Sequence, residues 1–76
     1  MKKPLVVNLD LIKQKRSNKD ISIEEMSKFM GYKGYQGYYY KENGIRKMSA
    51  DDIAKISAIL SIPINELFLK FKLPNR

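Results

Sequence analysis

The stretch from Ser22 to Ser49, SIEEMSKFMGYKGYQGYYYKENGIRKMS, constrains this chain more than any other part of it. All five tyrosines and all four glycines of the 76 residues fall inside it. Ser22 followed three residues later by Glu25 has the form of a capping box, in which each side chain satisfies a backbone N–H at a helix start. Ile21, just before the cap, is placed to pack on Met26 as a hydrophobic staple. Ile23, Met26 and Met30 recur at helical spacing, with Ser27 beside them, and Glu24, Glu25 and Lys28 fall on the water side. Phe29 lies off this stripe, where it covers the core edge or meets a second subunit. Gly31 suits the left-handed position that ends a helix. Tyr32-Lys33-Gly34 reads as a turn, and a second short helix is predicted from about Tyr35 to Glu42, ended by Asn43-Gly44. Ile45 to Met48 is a basic loop.

Two short helices joined by a tight turn have the layout of a helix-turn-helix, whose second helix is offered to a nucleic-acid groove. Gly34 and Gly37 each cost a helix roughly 1 kcal/mol relative to alanine. Close approach is one reason to keep them: Gly37 to another helix, or the Gly34 backbone to a phosphate. The alternative is a locally weak helix held by its neighbours. The rest of the chain reads as scaffold. Asn8 is placed to cap a first helix with Asp10 near its positive end, and Leu9, Ile12 and Arg16 share a face. Ser17-Asn18-Lys19-Asp20 breaks it. Ser49 caps a fourth helix with Asp51 and Asp52 in its first turn. Ile53, Ile56, Ser57 and Leu60 recur along that helix, and Ala54 and Ala58 are small enough for close packing. Pro63 opens a short fifth helix, Ile64 to Phe68. Leu69, Phe71 and Leu73 then alternate with lysines as a strand would, and Leu5-Val6-Val7 is a second short strand or a flap. The two ends are expected to pair, within one chain or between two.

Composition narrows the function classes. Seventy-six residues make one domain, residues 1–76, small enough that a partner subunit would help its stability. Cysteine and histidine are absent, which excludes disulfides and thiolate or imidazole metal sites and leaves no nucleophile–base pair for catalysis. No catalytic residue, cofactor or metal is expected, and the chain is not expected to be an enzyme. No apolar run approaches the roughly 20 residues of a membrane helix. Leu5-Val6-Val7 is too short for a signal peptide. A cytoplasmic protein with no membrane or small-molecule partner is expected. Fifteen Lys+Arg against eight Asp+Glu give a net charge of +7, which favours anionic partners, above all nucleic acid. Between Met26 and Met48 stand Lys28, Lys33, Lys41, Arg46 and Lys47 against one acid, Glu42.

The order and spacing of four segments resemble the lambda-repressor-like (Cro-type) helix-turn-helix family over Asn8 to Phe68. They are IKQKR in the first helix, SIEEMSKFMG in the second, KENGIRKMS after the tyrosine helix, and DDIAKISAILSIPINELF at the end. The resemblance implies an all-α, five-helix bundle whose third helix enters the DNA major groove, usually as a homodimer on a palindromic operator. It implies base-reading positions at Tyr35, Gln36 and Tyr40, with Gln36 suited to adenine N6 and N7. Ser22, Lys33, Gly34, Asn43, Arg46 and Lys47 would meet the DNA backbone. Arg16 and Glu42 match a structural pair that in relatives forms a partly buried salt bridge fixing the angle of the reading helix. The chain departs from the family pattern in four places. Ile23 replaces the Gln after the cap, Ser27 replaces an Ala, Ser61 replaces a Gly, and Gly31 to Glu42 is one residue longer.

Tyr38 is expected in the core. Tyr35, Tyr39 and Tyr40 span too much of the helix circumference to be buried together. Exposed beside lysines, such rings suit phosphate contacts through their hydroxyls, Tyr39 among them, or contacts to thymine methyl groups or stacked bases. The expected function is therefore sequence-specific binding of double-stranded DNA by a repressor-type transcription regulator, of a phage-, plasmid- or antitoxin-like kind. The alternative is a protein-interaction module that kept the helix-turn-helix fold and uses the tyrosine face for a protein partner. A third possibility is single-strand or RNA binding through stacked tyrosines.

Overall fold

The computed structural model of the protein describes residues 6–69. Expectations for residues 1–5 and 70–76, including most of the alternating Leu69-to-Leu73 segment, lie outside them. The described chain is mostly helical. It runs β1 (Val6–Val7), α1 (Leu9–Asn18), α2 (Ile23–Met30), α3 (Tyr35–Glu42), α4 (Ala50–Leu60), a 3-10 helix (Ile64–Leu67) and β2 (Phe68–Leu69). No helix among the described residues is long and apolar enough to cross a membrane.

Local chemistry accounts for most of the boundaries. The Asn8 side chain accepts from Leu11 N–H at 3.2 Å and caps α1. That helix continues through Asn18, further than Ser17 as a breaker implied. It stops where Asp20 turns left-handed, at φ 56°, and Ile21 N–H bonds back to Arg16 O at 3.1 Å. At α2, Glu25 N–H donates to Ser22 Oγ (3.0 Å) and Ser22 N–H donates to Glu25 Oε1 (2.9 Å), a complete capping box. Gly31 ends the helix at φ 87°. Ser49 and Asp52 repeat the reciprocal arrangement at α4.

The core is one cluster. Ile12 of α1, Met26 and Met30 of α2, Tyr38 of α3, and Ile53, Ile56 and Leu60 of α4 are buried together, closed by Ile62 and Leu67. Every helix thus gives a stripe to a common interior, as amphipathic helices must in a domain this small.

Three expectations need correction. The fifth helix is not an α-helix: Ile64–Leu67 is a single 3-10 helix, so the described residues form four α-helices and a two-stranded sheet. Only four residues separate Pro63 from β2, too few for a second α-helical turn to close its hydrogen bonds. Ala54 and Ala58 lie exposed, because the Ile53–Ile56–Leu60 stripe takes the inner face and leaves them outside. Gly37 does not meet another helix. A Cβ there would touch the Tyr32 ring at 3.7 Å, an ordinary contact. The two ends of the described chain pair with each other in one chain: Val6 opposes Leu69 and Val7 opposes Phe68, antiparallel, and Asn8 N–H adds a bond to Leu67 O at 2.8 Å.

Candidate nucleic-acid interface

Helix α3 is held from both sides at its C-terminal half. On one side Arg16 of α1 grips Glu42 with two parallel bonds, Nε to Oε2 and Nη2 to Oε1, each 2.9 Å. Its remaining Nη1 donates to Ile21 O at 2.7 Å, which ties the α1–α2 turn into the same cluster. The Glu42 side chain is 1% exposed and that of Arg16 14%. The hydrogen bonds to Glu42 hold the Arg16 guanidinium above its ordinary range against the cost of burial. Tyr38, one turn back, is fully buried. Burial first, then the neighbouring Glu42 carboxylate, pushes its phenol well up, and its hydroxyl finds no hydrogen-bond partner among the described residues.

On the other side Lys41 reaches Asp52 of α4 at 2.5 Å and the Tyr32 hydroxyl at 2.8 Å, and its ammonium stands 5.1 Å from the Tyr32 ring centroid. Tyr32 O–H donates to the second Asp52 oxygen. Burial works to raise the Asp52 pKa, but bonds from Lys41, Tyr32 and Ser49 outweigh it and lower the carboxyl to about 2. Asp52 in turn raises Lys41, and burial raises Tyr32. This triad was not legible in the sequence. In the sequence Lys41 is one of five basic residues between Met26 and Met48, and in the fold its charge is matched by Asp52. The one local signal was Ser49-x-x-Asp52, which announces a cap but not its long-range partners.

The leading end and outer face of α3 are open. Tyr35 is 49% exposed and Tyr39 41%, their rings edge to face with centroids 6.3 Å apart. Gln36 between them is exposed. Tyr40 is half-buried: its ring meets Tyr39 at 6.0 Å, and the Arg46 guanidinium stands 5.6 Å from its centroid. Its carbonyl accepts from Ile45 N–H (2.8 Å) and Arg46 N–H (3.1 Å), so the basic loop is pinned against the helix. Lys47 is exposed in that loop. Asn43 is exposed, with one amide hydrogen given to Tyr39 O at 2.8 Å.

Before the helix, Lys33 and Gly34 are exposed. Gly34 is the N-cap and supplies no side-chain bond, so the first N–H groups of α3 are left without one. With Glu24, Ser27, Lys28, Tyr32 and Tyr35 these two residues line a hollow of about 160 Å³ between α2 and α3. Ser27 is buried, and its Oγ donates to Tyr35 O at 3.3 Å, which fastens the start of α3. Ser22 is exposed at the start of α2, its oxygen occupied by Glu25 N–H and its own proton free to donate. The fold thus gathers Tyr35, Gln36, Tyr39, Tyr40 and Arg46 on or beside α3, brackets them with Lys33, Gly34, Asn43 and Lys47, and leaves Ser22 on the neighbouring helix.

No family model matches this chain. No curated protein matches it. No solved structure matches it.

Proposed function

We propose that the chain is a sequence-specific double-stranded DNA-binding protein of the helix-turn-helix type, acting in the cytoplasm as a repressor-type transcription regulator rather than as an enzyme. One observation carries this: α3 is clamped at Glu42 and Lys41 by ion pairs to two different helices, while its opposite end and outer face present Tyr35, Gln36 and Tyr39 to solvent. A short helix braced at one end and bare at the other has the mechanical requirements of a groove-reading element. Lys33 before it, and Arg46 and Lys47 after it, suit the flanking phosphates. Open space at Gly34, where a Cβ would meet nothing within 4 Å, supports approach of an outside group to the helix start. A homodimer on a palindromic operator is the arrangement proposed. Exposed Phe29, Ile45 and Ile64 offer apolar surface for a second copy.

The test is the salt dependence of duplex binding. Affinity is expected to fall steeply as salt rises, and Arg46→Ala with Lys47→Ala is expected to flatten the log–log slope by about 2 units at most. Binding that ignores salt, or no binding at low salt, would refute the proposal and leave the tyrosine face to a protein partner. Tighter binding to single strands than to duplex would point to stacking instead.

A further inference from the structure

Helix α3 carries one basic residue, Lys41, and that residue is not at liberty. Its ammonium sits between Asp52, at 2.5 Å, and the Tyr32 hydroxyl, at 2.8 Å, with its side chain 20% exposed. What the helix turns outward is neutral: Tyr35, Gln36 and Tyr39. Lys33 and Arg46 stand before and after the helix, Lys28 lines the hollow beside Tyr35, and Arg46 lies over the Tyr40 ring. The major-groove edges make this decisive. Guanine shows two acceptors, N7 and O6, best met by the paired donors of arginine or by lysine. A tyrosine hydroxyl has one proton to give, not two. The glutamine amide gives one bond and takes one, matching adenine N7 and N6, and an aromatic ring suits the thymine methyl.

Resting on the duplex-binding function proposed above, we propose that α3 selects A·T pairs, Gln36 reading adenine and the Tyr35–Tyr39 ring pair packing on thymine methyl groups, with guanine left unread because Lys41 is sequestered by Asp52 and Tyr32. The two rings are four residues apart, about 6 Å along the helix. That approaches two base steps of about 3.4 Å, so the pair reaches two thymines up to two steps apart rather than one.

The experiment begins with duplexes selected from a random pool by the whole chain. The selected site is then remade with deoxyuridine for thymidine, which removes only the methyl group. Affinity is expected to fall roughly fourfold for each methyl read, from the burial of one carbon. Replacing a contacted A·T pair by G·C is expected to cost roughly 5- to 150-fold. Tyr39→Ala should abolish part of the deoxyuridine penalty while Tyr39→Phe retains it, a contrast that loss of folding would not produce because Tyr39 lies on the surface. Gln36→Ala should erase the preference for adenine at one position. A guanine-dominated consensus, or indifference to deoxyuridine, would overturn the base preference and leave duplex binding standing. Absence of any salt-dependent duplex binding would remove the proposed function itself, and this inference with it.

Discussion

Replacing Arg16 by Met removes the three side-chain bonds that join α1, the α1–α2 turn and α3. It leaves the Glu42 carboxylate, 1% exposed, without its counter-charge. Breaking such a pair from one side costs about 3–5 kcal/mol. The lower end applies here, because Arg16 is 14% exposed and water can reach the vacated place. A chain of 76 residues has a net stability of roughly 4–11 kcal/mol, so a loss of about 3 kcal/mol takes a large part of it. Urea unfolding followed by far-ultraviolet circular dichroism would read this as a midpoint lowered by about 2–3 M, at a slope near 1 kcal/mol/M for a domain of this size. Replacing both partners, Arg16→Met with Glu42→Leu, removes the stranded charge, and stability is expected to return to within about 1 kcal/mol of the parent. The double variant should nevertheless bind duplex more weakly, since the clamp that sets the inclination of α3 is gone. A single substitution costing less than about 1 kcal/mol, or a double variant as weak as the single one, would refute this reasoning.

Other consequences are smaller. Asp52 has a folded pKa of about 2 against an ordinary 3.8, so its contribution is complete above the higher value and is lost as pH falls through the lower. Roughly 2 kcal/mol should disappear over that window in acid titrations of the urea midpoint, and Asp52→Asn should flatten the curve there. Lys41→Met should lower stability yet leave the salt slope of duplex binding unchanged, because a lysine held by Asp52 releases no counter-ion from phosphate; a slope reduced by about one unit would show that Lys41 does reach the backbone. Gly37→Ala should raise the thermal midpoint, by about 0.5–1 kcal/mol of helix propensity, since the added methyl meets only the Tyr32 ring at 3.7 Å. Ser61→Gly should also stabilise, by about 1 kcal/mol, because Ser61 holds φ 56°; a destabilised Ser61→Gly would contradict the strain assigned to it.

The parts of the fold that short-range chemistry decides were readable in the sequence. Ser22 with Glu25, Gly31, and Ser49 with Asp52 announce helix ends through bonds made within a few residues, and α2 begins and ends there and α4 begins there. Tyr38 was readable as core because a helix so rich in tyrosine has to bury one ring, and spacing chose it. The resemblance implies a glycine where Ser61 stands, and the left-handed backbone there is a conformation that suits glycine. The Arg16–Glu42 pair came from resemblance alone, since residues 26 positions apart carry no local sign of contact. The Tyr32–Lys41–Asp52 triad was missed for the same reason, and missing it overstated the free positive charge beside α3. Ala54 and Ala58 were misassigned because a small residue fits either face of a helix, and only the neighbouring stripe decides. Pro63 signals a short helix from Ile64 to Phe68 but not its type, and the length left before β2 permits only a 3-10 turn over Ile64–Leu67. On α3, the sequence indicated that Tyr35, Tyr39 and Tyr40 could not all be buried. It did not show that Arg46 would half-cover Tyr40 and so leave Tyr35 and Tyr39 as the outward pair.

The proposed function turns on whether the face of α3 would meet a duplex, and amide chemical-shift mapping of the isotope-labelled protein during titration with a selected duplex answers it. The largest changes are expected at Gly34, Tyr35, Gln36 and Tyr39 and in the Arg46–Lys47 loop, with Ile53 and Ile56 inside α4 little affected. Changes centred on the outer face of α4 around Ala54 and Ala58, with α3 undisturbed, would contradict the account.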